Sequence, residues 1–508
     1  MMRQDTSNDK RIAIIGSGFG ALGAAGLLAQ DGYKVDVYEK NEMIGGRASV
    51  LKEEGYTFDM GPSWFMMLDV WEHYFRLLGE DMYAHLDVVR LSPSYRFFFK
   101  ESRHELVDIF SDIAQDAATF EGIEKGAGTK LREYLENARA KYDISLERYV
   151  YRNYNNIFDF LTPDIMLSGP KLGVFANMQR HIERYFDAPE LQKLMQYTML
   201  FLGSKPHHLP ALYSQISHAD FSQGIYYPMG GMYEIVKALQ HILGAKGVGF
   251  HCNAEVTSIN VQDGKATGIT LANGQHLPYD IVISNADLVH TERQLLEPSY
   301  RSERNYDDMI LSPSAYICYL GVDGEIPEFV HHNFIAEKDW DSYFNELFDH
   351  PSWPSKPSLY ICAPSRTDKS VAPAGKENLF LLMPLAAGLE DSPELREQYA
   401  NILFDKIERD CGIKDFKQRI EYKKDFCVKD FESRYHSFKG NGLGGFSHTL
   451  RQSAFFRPNN YSKKVANLYF AGAGTNPGIG TMMALISGQN VYKRIANIRS
   501  AQPLEVSS

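Results

Sequence analysis

Apolar residues in this chain gather into short β-branched runs and longer glycine-rich stretches, and each end of the chain carries one of both. Near the amino end, Arg11-Ile-Ala-Ile-Ile15 has the length and composition of a short buried strand. It heads an uncharged run from Ile12 to Gln30, 19 residues behind a basic start, which superficially suggests a signal peptide or a membrane helix. Five glycines (Gly16, Gly18, Gly20, Gly23, Gly26) punctuate that run, so a strand–turn–helix unit explains it better, with the helix over about Ala21 to Gln30. A second strand follows at Lys34-Val-Asp-Val-Tyr-Glu39. The other uncharged run, Val465 to Tyr492, carries Asn, Pro and many Gly and is not a lipid-facing helix. It divides into a last parallel strand (Leu468–Gly472), a loop (Gly474–Gly480) and a helix (Thr481–Arg494). Residues 86–221 follow a helical pattern rich in tyrosine, including Tyr142, Tyr149, Tyr151 and Tyr154. Aromatic residues at helical spacing are usually core. No transmembrane span is expected.

The first turn, Gly16-Ser17-Gly18-Phe19-Gly20-Ala21, is a G-x-G-x-x-G/A pattern between a strand and a helix. The first glycine permits the tight turn, the second lets the main chain approach a pyrophosphate, and the small last residue allows close helix–strand packing. The helix N-terminus aims its free N–H groups and positive dipole end at the phosphates. Glu39 lies 23 residues after Gly16, near the offset of an acid that grips ribose hydroxyls. These features predict a dinucleotide and leave NAD and FAD open. The continuation Gly45-Gly46-Arg47 turns this into E-x5-G-G-R, with two glycines passing close to the cofactor and a cation placed near its phosphates.

Length and composition narrow the class. The chain has 508 residues, too many for one small core, with 44 % hydrophobic and 23 % charged positions. A net charge of −11 argues against nucleic acid as a partner, because phosphate binding needs clustered Lys and Arg. It leaves room for an apolar patch that docks on lipid. The five cysteines are scattered without a C-x-x-C, which speaks against a disulfide framework or thiolate zinc site and fits a reducing cytoplasm. The 16 histidines include the pairs His207–His208 and His331–His332 but no ligand spacing, and no metal site is expected.

Further segments resemble the carotenoid desaturases of the carotenoid/retinoid oxidoreductase family, most closely the bacterial phytoene desaturases. They are Phe58-Asp-Met-Gly61-Pro62-Ser63-Trp64, the Y-P-x-G-G-M element ending at Met232, Ile281-Val-Ile-Ser-Asn285-Ala-Asp287, His331-His332-Asn333, Pro357–Pro364 and Phe456-Arg457-Pro458. The likeness runs from about residue 11 to residue 497. It implies an α/β fold: a Rossmann-like FAD-binding domain of the glutathione-reductase/amine-oxidase type with an inserted α+β substrate domain. The FAD domain is expected from residues 1–85, 222–300 and 455–508, a helical lid and membrane-associating part from 86–221, and the sheet of the substrate domain from 301–454. Motifs and resemblance together nominate as cofactor contacts Gly16, Gly18, Gly20, Glu39, Lys40, Gly45, Gly46, Arg47, Gly61, Pro62, Ser63, Val256, Asn285, Gly472, Gly478, Thr481 and Met482. Many family members have a proline where this chain has Met482.

The implied activity is FAD-dependent desaturation of a C40 or C30 carotenoid precursor, phytoene towards lycopene. A hydride passes to the flavin and a proton leaves the adjacent carbon. Neighbouring double bonds spread the intermediate charge, so no catalytic side chain is nominated. The partners implied are a long apolar polyene and the cytoplasmic membrane surface, met peripherally, and a homo-oligomer is compatible with the chain. The alternatives within the fold are a later-acting carotenoid desaturase, isomerase or oxygenase, and an amine oxidase. The last is disfavoured because no cysteine lies in a flavin motif. A non-redox prenyl-protein binding module is the remote alternative, opposed by the intact glycine turn, Glu39 and Arg47.

Overall fold

A computed structural model of the chain describes residues 9–506 apart from 101, 156–158, 160–171, 175, 201 and 338. Strand Arg11–Ile15 sits at the centre of a five-stranded sheet in the order Leu468–Phe470, Ile281–Ser284, Arg11–Ile15, Lys34–Tyr38, Gly249–His251. Every pairing in it is parallel. A central parallel strand needs apolar residues on both faces, and the sequence supplies them by alternation. Ile12 and Ile14 pack with Leu22 and Ala25 of the helix Phe19–Gln30, whereas Ala13 and Ile15 pack with Val256 and Ile259. Those two residues belong to an antiparallel sheet of Val256–Gln262, Lys265–Leu271 and His276–Pro278.

The helix Phe19–Gln30 lies against the last helix, Thr481–Ile495, and glycines make the contact. A Cβ on Gly23 would stand 2.4 Å from the Leu485 carbonyl oxygen, and one on Gly488 2.2 Å from that of Gly20. The two backbones therefore touch, and both helices start on the same side of the parallel sheet.

The second domain is a seven-stranded sheet in the order Ile420–Phe426, Ser314–Asp323, Lys376–Leu385, Leu359–Cys362, His332–Ile335, Tyr95–Phe98, Leu106–Ile109. Helix Pro393–Cys411, capped by Ser392 and stopped at Gly412 in the left-handed region, covers one face of it. Tyr316, Cys318 and Leu320 pack there with Leu403 and Ile407, while Ile317 and Tyr319 look the other way into the main core.

The division by residue ranges needs two corrections. Residues 86–221 are not purely helical, since Tyr95–Phe98 and Leu106–Ile109 form the edge of the large sheet and Val88–Arg90 pairs with Tyr226–Pro228. Tyr95, Phe97 and Phe98 are buried and aromatic, a composition suited to a pleated surface, and strand pairing outweighs the helical bias of the longer window. The helical reading holds for the 19-residue helix Ala127–Ser145. The second correction concerns residues 431–444, which reach the glycine-turn end of the molecule, where Ser433 and Gly442 bind Lys40 and Arg47, as well as the large sheet, where Gly440 binds Ser314. Among the described residues no helix is long and apolar enough to cross a membrane. Part of the expected membrane-facing segment, residues 160–171, lies outside the described residues.

Candidate active site

The glycine turn is built on two strand ends. Gly16, at φ +82°, donates its N–H to the Tyr38 carbonyl at 2.8 Å and carries the chain from the first strand into the helix. Glu39, only 4 % exposed, ends the neighbouring strand. One of its oxygens accepts from the Ser17 N–H at 3.1 Å and hydroxyl at 2.6 Å. The other accepts from the Asn41 N–H at 3.0 Å and side-chain amide at 2.9 Å. The acid expected to face a ribose thus first locks the turn beneath it. Ser17 Oγ in turn accepts from the Gly45 N–H at 3.0 Å, which lays Gly45-Gly46 across the turn. A Cβ on Gly46 would lie 3.3 Å from Gly18 Cα.

Asn285 closes this cradle from the next strand. Its side-chain amide donates to the Ala471 carbonyl at 3.0 Å, and its carbonyl oxygen is buried without a partner. That oxygen is 2.9 Å from where a Gly18 Cβ would stand. The helices Phe19–Gln30 and Thr481–Ile495 both begin here, after Gly18 and Gly480, and neither has a side-chain cap. Two sets of unpaired N–H groups and their positive dipole ends therefore face one space.

Sixteen of the seventeen nominated residues line one cavity of about 630 Å³: Gly16, Gly18, Gly20, Glu39, Lys40, Gly45, Gly46, Arg47, Gly61, Pro62, Ser63, Val256, Asn285, Gly472, Thr481 and Met482. Gly478 does not. A Cβ there would come within 2.3 Å of His448 Nε2 and 3.2 Å of the Arg457 guanidinium carbon, so Gly478 packs the loop onto residues beneath it. Arg47 also differs in its ties. It donates to the Gly442 carbonyl at 2.9 Å, the Asn441 carbonyl at 3.2 Å and the Ser437 hydroxyl, and lies 5.4 Å from the centre of the Tyr435 ring. Its first effect is to strap the Gly45-Gly46 turn to residues 435–442. Lys40 likewise donates to the Ser433 carbonyl at 2.6 Å. The lining residues Arg434, Tyr435 and His436 carry no motif, and about 390 residues separate them from Lys40 and Arg47. Sequence reasoning had no signal for them.

The far end of the cavity has another character. Trp64, Phe97, Tyr197, Phe334 and Tyr360 converge on it from the large sheet and its surroundings. Phe97 stacks on Phe334 with centroids 4.7 Å apart, and Trp64 stacks on His332 at 4.3 Å. Below them Asp220 accepts from the Tyr95 and Tyr197 hydroxyls at 3.0 and 2.7 Å. Burial pushes its carboxyl up to about 7. Tyr142, Tyr149 and Tyr154 line the cavity, whereas Tyr151 does not.

Beside this wall His331, His332 and Cys362 meet, a cluster hidden in the sequence because strand pairing sets His332 opposite Cys362. Burial lowers the His331 imidazole to about 3 and holds that of His332 well below its ordinary value.

The family profile described as flavin containing amine oxidoreductase matches residues 22–496. The chain belongs to that family. It is 42 % identical over 487 residues to a carotenoid 3,4-desaturase of Haloarcula japonica, covering 95 % of this chain and 97 % of that one. To a zeta-carotene-forming phytoene desaturase of Myxococcus xanthus it is 31 % identical, over 99 % and 97 % of the two chains. The fold matches the crystal structure of an oxidoreductase from Methanosarcina mazei with a TM-score of 0.62 at 16 % identity, over 95 % of this chain and 100 % of that one. The protein is an oxidoreductase acting on CH–CH bonds, and its cofactor is FAD. The residues fit that group: left-handed glycines where a Cβ would fill the cradle, two uncapped helix starts, and the unpartnered Asn285 carbonyl oxygen at the turn. When bound, FAD supplies the two-electron acceptor.

Proposed function

We propose that this protein desaturates an acyclic C40 carotenoid, phytoene towards lycopene in the first instance. The observation that carries the polyene reading is the continuity of the cavity, which runs from Glu39 and the glycine turn to the aromatic wall of the second sheet. A rod-like hydrocarbon suits that wall, because its binding energy comes from burying apolar surface, roughly 25 cal/mol per Å². The chain's own contribution is to hold the substrate in register and exclude water.

A second reading, 3,4-desaturation of an already conjugated carotenoid, is favoured by the 42 % identity to the Haloarcula enzyme against 31 % to the Myxococcus one. The two separate by expression in cells that accumulate phytoene and in cells that accumulate lycopene, with pigments resolved by chromatography. Loss of the phytoene peak supports the first reading. Intact phytoene with conversion of lycopene to a red-shifted pigment supports the second. If both pigments persist unchanged, the polyene assignment is wrong.

Because such a substrate partitions into lipid, the protein is further proposed to work at a membrane surface, drawing its substrate from the bilayer through the region of residues 86–221. Flotation with liposomes tests this, and recovery of all protein in the lipid-free fraction rejects it.

A further inference from the structure

Outside the cavity, the large sheet holds a side-chain cluster that neither FAD nor a polyene uses. His332 and Cys362 oppose each other in the pairing of His332–Ile335 with Leu359–Cys362, and His331 immediately precedes the first strand. One ligand-capable atom of each residue lies within 4.8 Å of the other two. All three residues are buried, none more than 3 % exposed.

The surroundings are those of a supported ligand set. His331 Nδ1 pairs with the Thr367 hydroxyl and His332 Nδ1 with the Tyr360 hydroxyl, each at 2.8 Å. Such outer partners fix the ring orientation and leave the opposite nitrogen to bind. That nitrogen, Nε2, is buried and without a partner in both imidazoles. A buried polar atom left unpaired costs about 1–3 kcal/mol, so each of these two nitrogens calls for a partner. A void of about 10 Å³ beside them, bordered by Asp59, Ser63, Tyr227, His331 and Cys362, is the size of one water.

We propose that His331, His332 and Cys362 form a closed binding site for a thiophilic transition-metal ion of the zinc(II) type, with a water in the adjoining void as fourth ligand. Two imidazoles and a thiolate select zinc-like ions over magnesium or calcium, which take oxygen ligands. Binding replaces the Cys362 S–H bond with a sulfur–metal bond and releases one proton. Phe334 and Tyr360 stand on the same face of these two strands, two residues along from His332 and Cys362, so the ion clamps the sheet beside the aromatic wall and is structural rather than catalytic. Because the ligands are buried, the metal enters as the chain folds.

The test uses untagged, full-length, flavin-loaded protein from zinc-supplemented minimal medium, desalted and subjected to elemental analysis. Stoichiometric zinc is expected, with the flavin content unchanged and the zinc lost in Cys362→Ser and His332→Asn. Protein grown with cobalt(II) should show a thiolate-to-cobalt charge-transfer band in the near-ultraviolet difference spectrum against the zinc form, absent in Cys362→Ser. Copper(I) in place of zinc, lost in the same variants, also supports the site. Folded, flavin-loaded wild-type protein that contains no metal, and whose melting temperature does not move when zinc is added during refolding, overturns the proposal. So does metal retained undiminished in both variants, and if neither variant folds, the wild-type metal content and cobalt spectrum decide.

Discussion

Gly488 offers the most direct way to break the link between helix packing and the cofactor site. Its substitution by alanine would put a methyl group 2.2 Å from the Gly20 carbonyl oxygen and 2.6 Å from the Ala24 nitrogen. Both are backbone atoms of the partner helix, so no side chain can swing aside. Restoring ordinary contact requires the two helices to part by about 1 Å, and overpacking of this kind costs about 1–3 kcal/mol. Alanine's better helix propensity returns about 1 kcal/mol. The balance for this site is a loss of about 2 kcal/mol, taken at the upper end because backbone meets backbone. The last helix carries the unpaired N–H groups of Thr481 and Met482 into the cavity. A shift of that size moves them out of hydrogen-bonding range and should weaken FAD binding by roughly ten- to a hundred-fold, since each 1.4 kcal/mol is a factor of ten. Urea unfolding of the apoprotein and titration of the apoprotein with FAD, followed by flavin fluorescence, report the two effects. The control is Gly244→Ala. A Cβ at Gly244, inside the helix Tyr233–Ala245, meets nothing within 4 Å, so this change should stabilise the protein by about 0.5–1 kcal/mol. If Gly488→Ala matches wild type in unfolding midpoint and in FAD affinity, the glycine contact does not position the helix starts and the reasoning fails.

Other perturbations test the rest of the site. Glu39→Gln removes a carboxylate that serves four donors and leaves one oxygen to do so. Two lost charge-assisted bonds at about 1.5–3 kcal/mol each should lower the stability of the apoprotein and loosen FAD, so unchanged melting with unchanged FAD retention contradicts the described turn. Asp220 governs a pH dependence. Its carboxyl is raised from 3.8 to about 7 by burial, so the folded state keeps a proton that the unfolded chain releases. The associated stability is complete below about 4 and is lost as pH rises through about 7. In Asp220→Asn, unfolding free energies measured between about pH 4 and pH 8 should fall less steeply than in wild type, and an equally steep or steeper fall refutes the assignment. Phe334→Ala opens the aromatic wall on the sheet opposite the nucleotide cradle. Turnover of carotenoid should drop while the flavin absorbance of the purified protein stays. Flavin loss in step with activity would place Phe334 in the cofactor site instead.

Local chemistry is what a sequence states most directly. Strand, glycine turn, acid and Gly45-Gly46 follow one another within about forty residues near the amino end, and the glycines answer a local demand for a tight turn and close backbone approach to a phosphate. The last strand, loop and helix were legible for the same reason. Met482 is at the start of that helix in the structure, as its position in the motif implied. Periodicity also placed Tyr142 on the helix Ala127–Ser145 and Tyr149 on its continuation Leu146–Val150, but Tyr151 and Tyr154 lie past its end, and it could not tell Tyr149, which faces the cavity, from Tyr151, which does not.

What lay beyond the sequence depends on which distant strands pair and which backbones touch. Nothing near Arg47 announces that its guanidinium will be held by carbonyls at Asn441 and Gly442, nor does Gly478 show that it will rest on His448. The two strands at Tyr95–Phe98 and Leu106–Ile109 join a sheet drawn mainly from residues after 310, and they do so because the edge of that sheet buries the aromatic side chains of the first and Val107 and Ile109 of the second. The cluster of His331, His332 and Cys362 arises from the register of one antiparallel pair. A motif records constraints between neighbours along the chain. Contacts across hundreds of residues are settled by packing, whose energy is summed over many side chains and is written in no single one of them.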